Sequence, residues 1–398
     1  MKNKRLLKMF IIFIILLFII FSIFKLYSYL RVKYAKIEVE TIDNLDIEVY
    51  RKVKISKLIK SINGKIINDK YIDTNDIGKK DISFKFINND NIKVSYSFKV
   101  NIVDTTAPII SNRDYITVYQ DSVDNISKSL FCGDNYDDNP TCNIEGEYDL
   151  NTIGEYPVSF IGTDNSGNTS KKDLTIIVKN KENTTTTNNI EEFSFDELKT
   201  LYKTDSNKIG IDVSKWQGDI DYQKVKDAGV EFVIIRIGYQ KGIDGKYFLD
   251  PKFEDNIKGF NKVGIKVGLY FFSYANSNSD AIKQAKWITN KIKNYKISLP
   301  IVFDWENFGM YQDFNLSFKH LNDMANAFMK QIEKDGYTPM LYSSKNYLLN
   351  IWYETKYPIW LAHYTDKTDY TGNYSIWQMT DTGTIDGIDN YVDIDIMY

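Results

Sequence analysis

The longest apolar run in the chain extends almost unbroken from Met9 to Phe24, directly behind Lys2, Lys4, Arg5 and Lys8. It is somewhat shorter than the roughly 20 residues a helix needs to cross a bilayer. Leu26, Tyr27, Tyr29 and Leu30 extend it, with Lys25 able to reach the interface. The stretch after the run, Ser22-Ile-Phe-Lys-Leu-Tyr-Ser28, lacks the small-x-small pattern of a cleaved signal peptide. The pattern predicts an uncleaved single-pass anchor over residues 1–36. Arg31, Lys33 and Lys36 put positive charge on the far flank too. The N-terminal cluster and the lack of a second span still favour a cytoplasmic N-terminus and an outside bulk.

Past the anchor the hydrophobic period drops to two. Asn75-Asp-Ile-Gly78, Asp81-Ile-Ser-Phe84, Asp90-Asn91 and the alternating run Tyr96–Val103 form one block. A similar block begins at Asn151-Thr-Ile-Gly154 and continues through Tyr156-Pro-Val158, Asp164-Asn-Ser-Gly-Asn168 and Leu174–Val178. Alternation broken by Gly, Asn and Asp turns predicts antiparallel strands, here two small β-sandwiches at 37–104 and 105–179. Residues 180–207 then read as a linker. Its segment Asn180-Lys-Glu-Asn-Thr-Thr-Thr-Thr-Asn-Asn189 is too polar to build a core, and a short helix falls between Ile190 and Asn207.

From Lys208 to Tyr398 strands alternate with helices. Eight strand-like runs are Gly210–Val213, Phe232–Gly238, Lys266–Tyr274, Ile301–Glu306, Met340–Ser343, Ile359–Tyr364, Ile376–Met379 and Val392–Ile396. Helical periodicity fills the first five gaps, at Tyr222–Ala228, Pro251–Val263, Asp280–Tyr295, Phe318–Asp335 and Lys345–Tyr353. The last gaps are too short and Gly-rich for helices. The fold class expected is multidomain: an N-terminal transmembrane helix, two all-β sandwiches and a C-terminal α/β barrel of irregular TIM-like form. Reactive groups in such barrels lie at the C-terminal ends of the strands.

Composition narrows the chemistry. Fifty Lys and Arg against 53 Asp and Glu give a net charge of −3 with no basic block beyond the N-terminus, which argues against nucleic acid as a partner. Two histidines, His320 and His363, and two cysteines, Cys132 and Cys142, exclude zinc-finger and HExxH patterns and leave no Cys/His or Ser/His/Asp grouping. Outside a membrane, Cys132 and Cys142 are disulfide candidates. Between them, Asp134, Asp137 and Asp138 read as a solvated acidic turn in preference to a calcium loop. No metal site is expected.

One carboxylate pair stands out. The buried run Ile301-Val-Phe303 leads into Asp304-Trp-Glu306. Residues i and i+2 of a strand share a face, roughly 6.5–7 Å apart. Asp304 and Glu306 are therefore expected side by side at a strand end. Adjacent carboxylates cannot both ionise freely, so one holds a proton near neutral pH. Such a pair suits acid catalysis on a glycosidic bond. The bland alternative is a buried ion pair, with Arg236 as a partner.

The C-terminal half resembles glycoside hydrolase family 25, the Chalaropsis-type lysozymes (N-acetylmuramidases). The motifs that carry the resemblance are Gly210-Ile-Asp212-Val-Ser-Lys-Trp216-Gln-Gly218, Phe232-Val-Ile-Ile-Arg236-Ile-Gly238, Gly268-Leu-Tyr-Phe-Phe-Ser-Tyr274, Pro300-Ile-Val-Phe-Asp304-Trp-Glu306-Asn307, Trp360-Leu-Ala-His-Tyr364, Ile376-Trp-Gln378 and Val392-Asp393-Ile-Asp395. The resemblance implies a barrel of five βα units plus three strands over 208–398. It implies Glu306 as general acid/base and Asp304 as the second carboxylate, which either stabilises an oxocarbenium-like centre or, the reading favoured for a 2-acetamido sugar, orients the substrate's own N-acetyl group. It further implies Asp212 and Asp393 as acids of the pocket floor, with Asp395 competing for the latter role. Tyr274, Trp360, Tyr364, Gln378 and Arg236 would line the sugar cleft. No cofactor is implied, and the partner is the peptidoglycan glycan strand. The segment from Asp104-Thr-Thr-Ala-Pro108 to the Gly154-x-Tyr-x-Val158 and Asp164-x-x-Gly-Asn168 hairpin resembles bacterial immunoglobulin-like surface modules. The anchored spacers would hold the enzyme outside the membrane, facing the wall.

Two other readings remain open. A chitin-type hydrolase also ends a strand in Asp-x-Glu but carries further acids just before it, where this chain has Leu299, Pro300 and Val302. A non-catalytic glycan-binding adhesin or scaffold has little use for both acids.

Overall fold

The computed structural model describes residues 2–120, 126–180 and 191–398. It divides into two compact units, Met1–Thr105 and Thr106–Tyr398. The first opens with helix α1 (Lys2–Lys33). Within it, Lys8–Lys33 is long and apolar enough to cross a membrane. Its 26 residues span about 39 Å, against about 30 Å of bilayer hydrocarbon. Its apolar side chains from Met9 to Phe24 lie exposed.

The two β modules share one strand order. In the first, the hairpin Gly78–Asn88 and Lys93–Val103 is flanked by Gly64–Ile66, antiparallel, and by Asp46–Glu48, parallel. In the second, the hairpin Gly154–Thr163 and Thr169–Lys179 is flanked by Thr141–Glu145, antiparallel, and by Tyr115–Tyr119, parallel. The repeat legible in the turn residues is thus a repeat of topology. Alternate residues fill each core: Phe84, Phe86, Val100 and Ile102 in one, Val158, Phe160, Leu174 and Ile176 in the other. Of the linker, 181–190 lie outside the described residues. Helix α2 (Phe195–Tyr202) follows and buries Phe195 and Leu198.

The C-terminal strands close a barrel of eight: β1 (Lys208–Val213), β2 (Phe232–Gln240), β3 (Lys266–Phe272), β4 (Ile301–Asp304), β5 (Pro339–Ser344), β6 (Ile359–Ala362), β7 (Ile376–Ile385) and β8 (Ile388–Met397). Strands β1 to β7 pair in parallel around the ring. Strand β8 runs antiparallel to both β7 and β1. The cause is local: only Asp386 and Gly387 separate β7 from β8, a turn that permits a hairpin and no crossover helix. Helices α3 (Tyr222–Ala228), α4 (Phe253–Lys262), α5 (Asn278–Lys291), α6 (Phe318–Lys334) and α7 (Lys345–Asn350) fill the first five gaps. Asp221, Ser277 and Ser317 cap the N-termini of α3, α5 and α6 by accepting backbone N–H bonds.

Side-chain alternation splits the strands into two apolar sets. Ile209, Ile211, Val233, Ile235, Val267, Leu269, Ile301 and Phe303 pack with the helices. Phe232, Ile234, Val302, Met340, Tyr342, Trp360 and Ile376 form a separate cluster, which fills the lumen. The residues of the second set alternate along each strand with those of the first, so a one-residue slip would turn a strand's apolar set from the helices to the lumen.

The second β module does not stand clear of the barrel. Phe131 inserts its ring among Phe308, Tyr311, Phe318 and Tyr347, with centroids 5.2–6.3 Å away. Gln312 Nε2 donates to the carbonyls of Ser127 and Leu130, both at 3.0 Å. Gly133 passes so close that a Cβ there would sit 2.7 Å from ring carbons of Phe318 and Tyr311. A disulfide joins Cys132 to Cys142. The acidic loop between them is no solvated turn. Asp134 and Asp137 are buried, and Asp134 Oδ1 accepts the N–H groups of Tyr136 and Asp137. Asp138 Oδ1 accepts the Ser317 N–H and meets His320 Nδ1, both at 2.6 Å, at the N-terminus of α6 where negative charge is favoured.

Module and barrel should therefore unfold together. Phe131→Ala is expected to cost about 2–3 kcal/mol, read as a lower urea midpoint of a single transition for the 106–398 unit. Two separate transitions in the wild type would contradict this coupling.

Candidate active site

Strand β4 ends at Asp304, and Glu306 lies two residues past it, opening a 3-10 segment at Asn307–Phe314. The expectation that both acids belong to one strand is corrected here: Glu306 has left the extended backbone (φ −122°, ψ 14°). The two carboxyls still share a hydrogen bond. Asp304 is buried, and its Oδ1 meets no hydrogen-bond partner among the described residues. Glu306 is exposed at its tip. Protein atoms crowd it nonetheless, and burial raises its pKa. Asp304 is raised well above the carboxylate range, first by burial and then by the negative charge of Glu306; Arg236 opposes the shift. The proton the two share lies more with Asp304, whose burial is the deeper.

Both neighbours of Glu306 are anchored. Trp305 Nε1 donates to Ala275 O at 3.0 Å, and Asn307 Nδ2 donates to Ser273 O at 2.8 Å. Ser273 N–H in turn donates to Asp304 O at 2.8 Å. The 3-10 segment behind Glu306 is the one gripped by Phe131 and by the carbonyls that Gln312 binds.

Three more acids share the lumen. Asp212 on β1 pairs in register with Asp393 on β8, and Gly210 with Asp395. Gln378 on β7 ties the group together. Its Nε2 donates to Asp212 Oδ2 at 2.8 Å and Asp393 Oδ1 at 3.2 Å, while its Oε1 accepts from Tyr342 at 2.8 Å and Tyr364 at 3.1 Å. Burial first, then Asp393, Asp395 and Asp304, push Asp212 well above the ordinary range. Asp395 is likewise raised, by burial and by Asp393, against a bond from Trp360 Nε1 at 2.8 Å. Asp393 is pushed up to about 7 by burial, with Asp381 and Glu306 adding to it.

Two candidate cleft residues are placed otherwise than expected. Trp360 is 2% exposed, packed beneath the cleft against Tyr342 and Tyr270, so its face is closed to a sugar. Arg236 is buried too. Its Nε and Nη2 each lie 2.7 Å from Asp250 Oδ2, which makes it a fixed cation near Asp304 in place of a free binding group. Tyr274 is half-buried and stacks on Phe314 at 6.3 Å. Tyr364 is 51% exposed and presents an open ring. Sequence reading missed Tyr342 and Tyr270, both drawn into the acid cluster, and Asp250, the partner of Arg236. Period-2 counting from Met340 and Gly268 places both tyrosines on the lumen face. His363 hydrogen-bonds Thr368 Oγ1 at 2.9 Å, away from the acids.

A closed eight-stranded barrel with coupled carboxyls at the C-terminal ends of its strands defines an α/β-barrel protein of glycosidase type. Comparisons with known proteins name it more closely. The family described as "Glycosyl hydrolases family 25" matches residues 211–388. An uncharacterized protein of Escherichia coli (strain K12), YegX, is 31% identical over 192 residues, 47% of this chain and 68% of that protein. The autolytic lysozyme of Clostridium acetobutylicum is 26% identical over 189 residues, 47% of this chain and 54% of that one. The solved autolysin LytC of Streptococcus pneumoniae aligns at 27% identity and a TM-score of 0.44, covering 60% of this chain and 56% of that one. The chain thus spans little more than half the length of the latter two. It belongs to glycosyl hydrolases family 25, a family of enzymes acting on glycosidic bonds.

Raised carboxyl pKa values have a consequence for stability. Folded Asp393 keeps its proton to about pH 7, whereas the unfolded residue loses it near pH 4. Between those values the folded state binds more protons, so this residue's contribution to stability falls as pH rises. Asp393→Asn should be near neutral at pH 4 and gain about 1–2 kcal/mol over wild type at pH 8. Urea midpoints across pH check this; a mutant-minus-wild-type difference independent of pH would refute it.

Proposed function

We propose that the chain is a membrane-anchored muramidase, cleaving the β-1,4 bond between N-acetylmuramic acid and N-acetylglucosamine in peptidoglycan with retention of configuration. One observation carries the reading: a buried carboxyl and a solvent-facing carboxyl share a hydrogen bond at the barrel mouth. The lysozyme names borne by relatives support the substrate class.

The unpartnered Asp304 Oδ1 suits the N–H of a substrate acetamido group. A donor there stabilises ionised Asp304 and drives the shared proton onto Glu306. Glu306 then protonates the leaving sugar oxygen as the acetamido oxygen attacks C1. The glycosidic C–O bond breaks and a cyclic oxazolinium forms. Water opens it from the vacated face, giving its proton back to Glu306, and two inversions yield retention. Asp212 and Asp393, bridged by Gln378, would hold sugar hydroxyls, and Tyr364 and Tyr274 would flank the sugar.

Helix α1 would act as the anchor with the barrel outside, facing the wall. We read 37–104 and 105–179 as immunoglobulin-like modules, 180–207 as a linker and 208–398 as the catalytic domain. The shared strand order of the modules supports the first part. The coupling of the second module to the barrel makes it more than a spacer.

Full-length protein in detergent should clear a peptidoglycan suspension. Glu306→Gln is expected to lose about 10²–10⁴-fold in kcat. Mass spectrometry should find N-acetylmuramic acid at the new reducing ends, with the β-anomer formed first by NMR. Reducing-end glucosamine, or full turnover by Glu306→Gln, would refute the reading.

A further inference from the structure

A cavity of about 250 Å³ lies between the second β module and the barrel, outside the acid cluster. Arg113, Asn112 and Phe131 line it from the module; Asn346, Tyr347 and Asn350 line it from α7. Phe308 and Gly309, two and three residues beyond Glu306, complete the wall. The cavity therefore opens at the same rim as the proposed catalytic pair, between the loops that follow β4 and β5. Tyr347 bridges the two places. Its ring stacks on Phe308 at 3.5 Å between centroids, and its hydroxyl feels both the cation of Arg113 and the carboxylate of Glu306.

Charge decides what fits. Arg113 is the sole charged residue in the lining, and no carboxylate lines the cavity. The guanidinium is exposed and makes no ion pair among the described residues, since the adjacent Asp114 is paired with Lys172 at 2.6 Å. Around it stand amide side chains, hydroxyls and half-buried aromatic rings. An unpaired guanidinium selects a carboxylate, which it binds through two parallel N–H bonds. The asparagines suit peptide N–H and C=O groups, and the Phe131 and Tyr347 rings suit small apolar side chains.

We propose that this cavity is a subsite for the carboxylate-bearing stem peptide of peptidoglycan, with Arg113 as its anion-binding group. The inference rests on the muramidase reading above and deepens it. Muramic acid carries its peptide on the carboxyl of its 3-O-lactyl group, so a strand lying across Glu306 must send a peptide out over the rim. The second module would then supply substrate recognition as well as support for the catalytic loop, and bare glycan would be the poorer substrate.

The test compares full-length wild type, Arg113→Ala and Arg113→Lys on three substrates: glycan strands with free stem-peptide carboxylates, the same strands with those carboxylates amidated, and strands stripped of peptide. In wild type, kcat/KM should be about fivefold higher on the free-carboxylate strands than on the other two. Arg113→Ala should abolish that preference and Arg113→Lys should retain part of it. Equal wild-type rates on amidated and free-carboxylate strands, with clearing intact, would overturn the subsite and leave the muramidase reading standing. A wild-type preference for free carboxylates that survives in Arg113→Ala would overturn the role of Arg113. Competition by a glycerol-phosphate polymer that Arg113→Ala removes, with no effect of amidation, would assign the cavity to that polymer and also overturn the proposal. Absence of cleavage on all three substrates would overturn both readings.

Discussion

Asp212, Asp304, Asp393 and Asp395 all face the lumen of one barrel, where water is scarce, and their proximity is the constraint on which the site depends. An ionised carboxylate is costly to bury unless donors or cations compensate it. Here the compensation is partial: the amide of Gln378, the indole N–H of Trp360 and the field of Arg236. The cluster meets the deficit by keeping protons, which is why each member titrates above its ordinary range. A site that stores protons at neutral pH is prepared for acid chemistry before substrate arrives.

Glu306 differs from that cluster in one respect that matters. It sits past the end of β4, so its tip is open while its backbone is held. The neighbouring Trp305 and Asn307 fix the turn from one side, through carbonyls of the loop after β3. The 3-10 segment is fixed from the other side by Phe131 and by the carbonyls of Ser127 and Leu130. An exposed acid carried on a firmly packed loop combines access with a defined position, and neither an inward strand residue nor a free loop would provide both.

That second contact changes the meaning of the β module. A spacer would need only its own core, which Val158, Phe160, Leu174 and Ile176 supply. Instead Asp138 of the loop bracketed by the disulfide, and the ring of Phe131 just before that loop, meet the barrel, and Gly133 is required there because no Cβ fits against Phe318 and Tyr311. The module is packed onto the loop that carries Glu306.

Whatever depends on period and punctuation is legible in the sequence alone. Alternation fixed the lumen and helix faces of each barrel strand, Asp221, Ser277 and Ser317 marked helix starts, and the two-residue turn at Asp386–Gly387 imposed the final hairpin. It also brought Asp304 and Glu306 within reach of each other, because two residues cannot travel far apart. The rest emerges only when the barrel closes. Trp360 and Arg236 were indistinguishable from cleft residues until ring closure buried one against Asp395 and gave the other to Asp250. Tyr342 and Tyr270 looked like ordinary strand residues until the lumen drew them among the acids. The grip of Phe131 on the loop of Glu306 joins segments more than 170 residues apart, and no local pattern encodes a contact whose energy exists only when both surfaces are already folded.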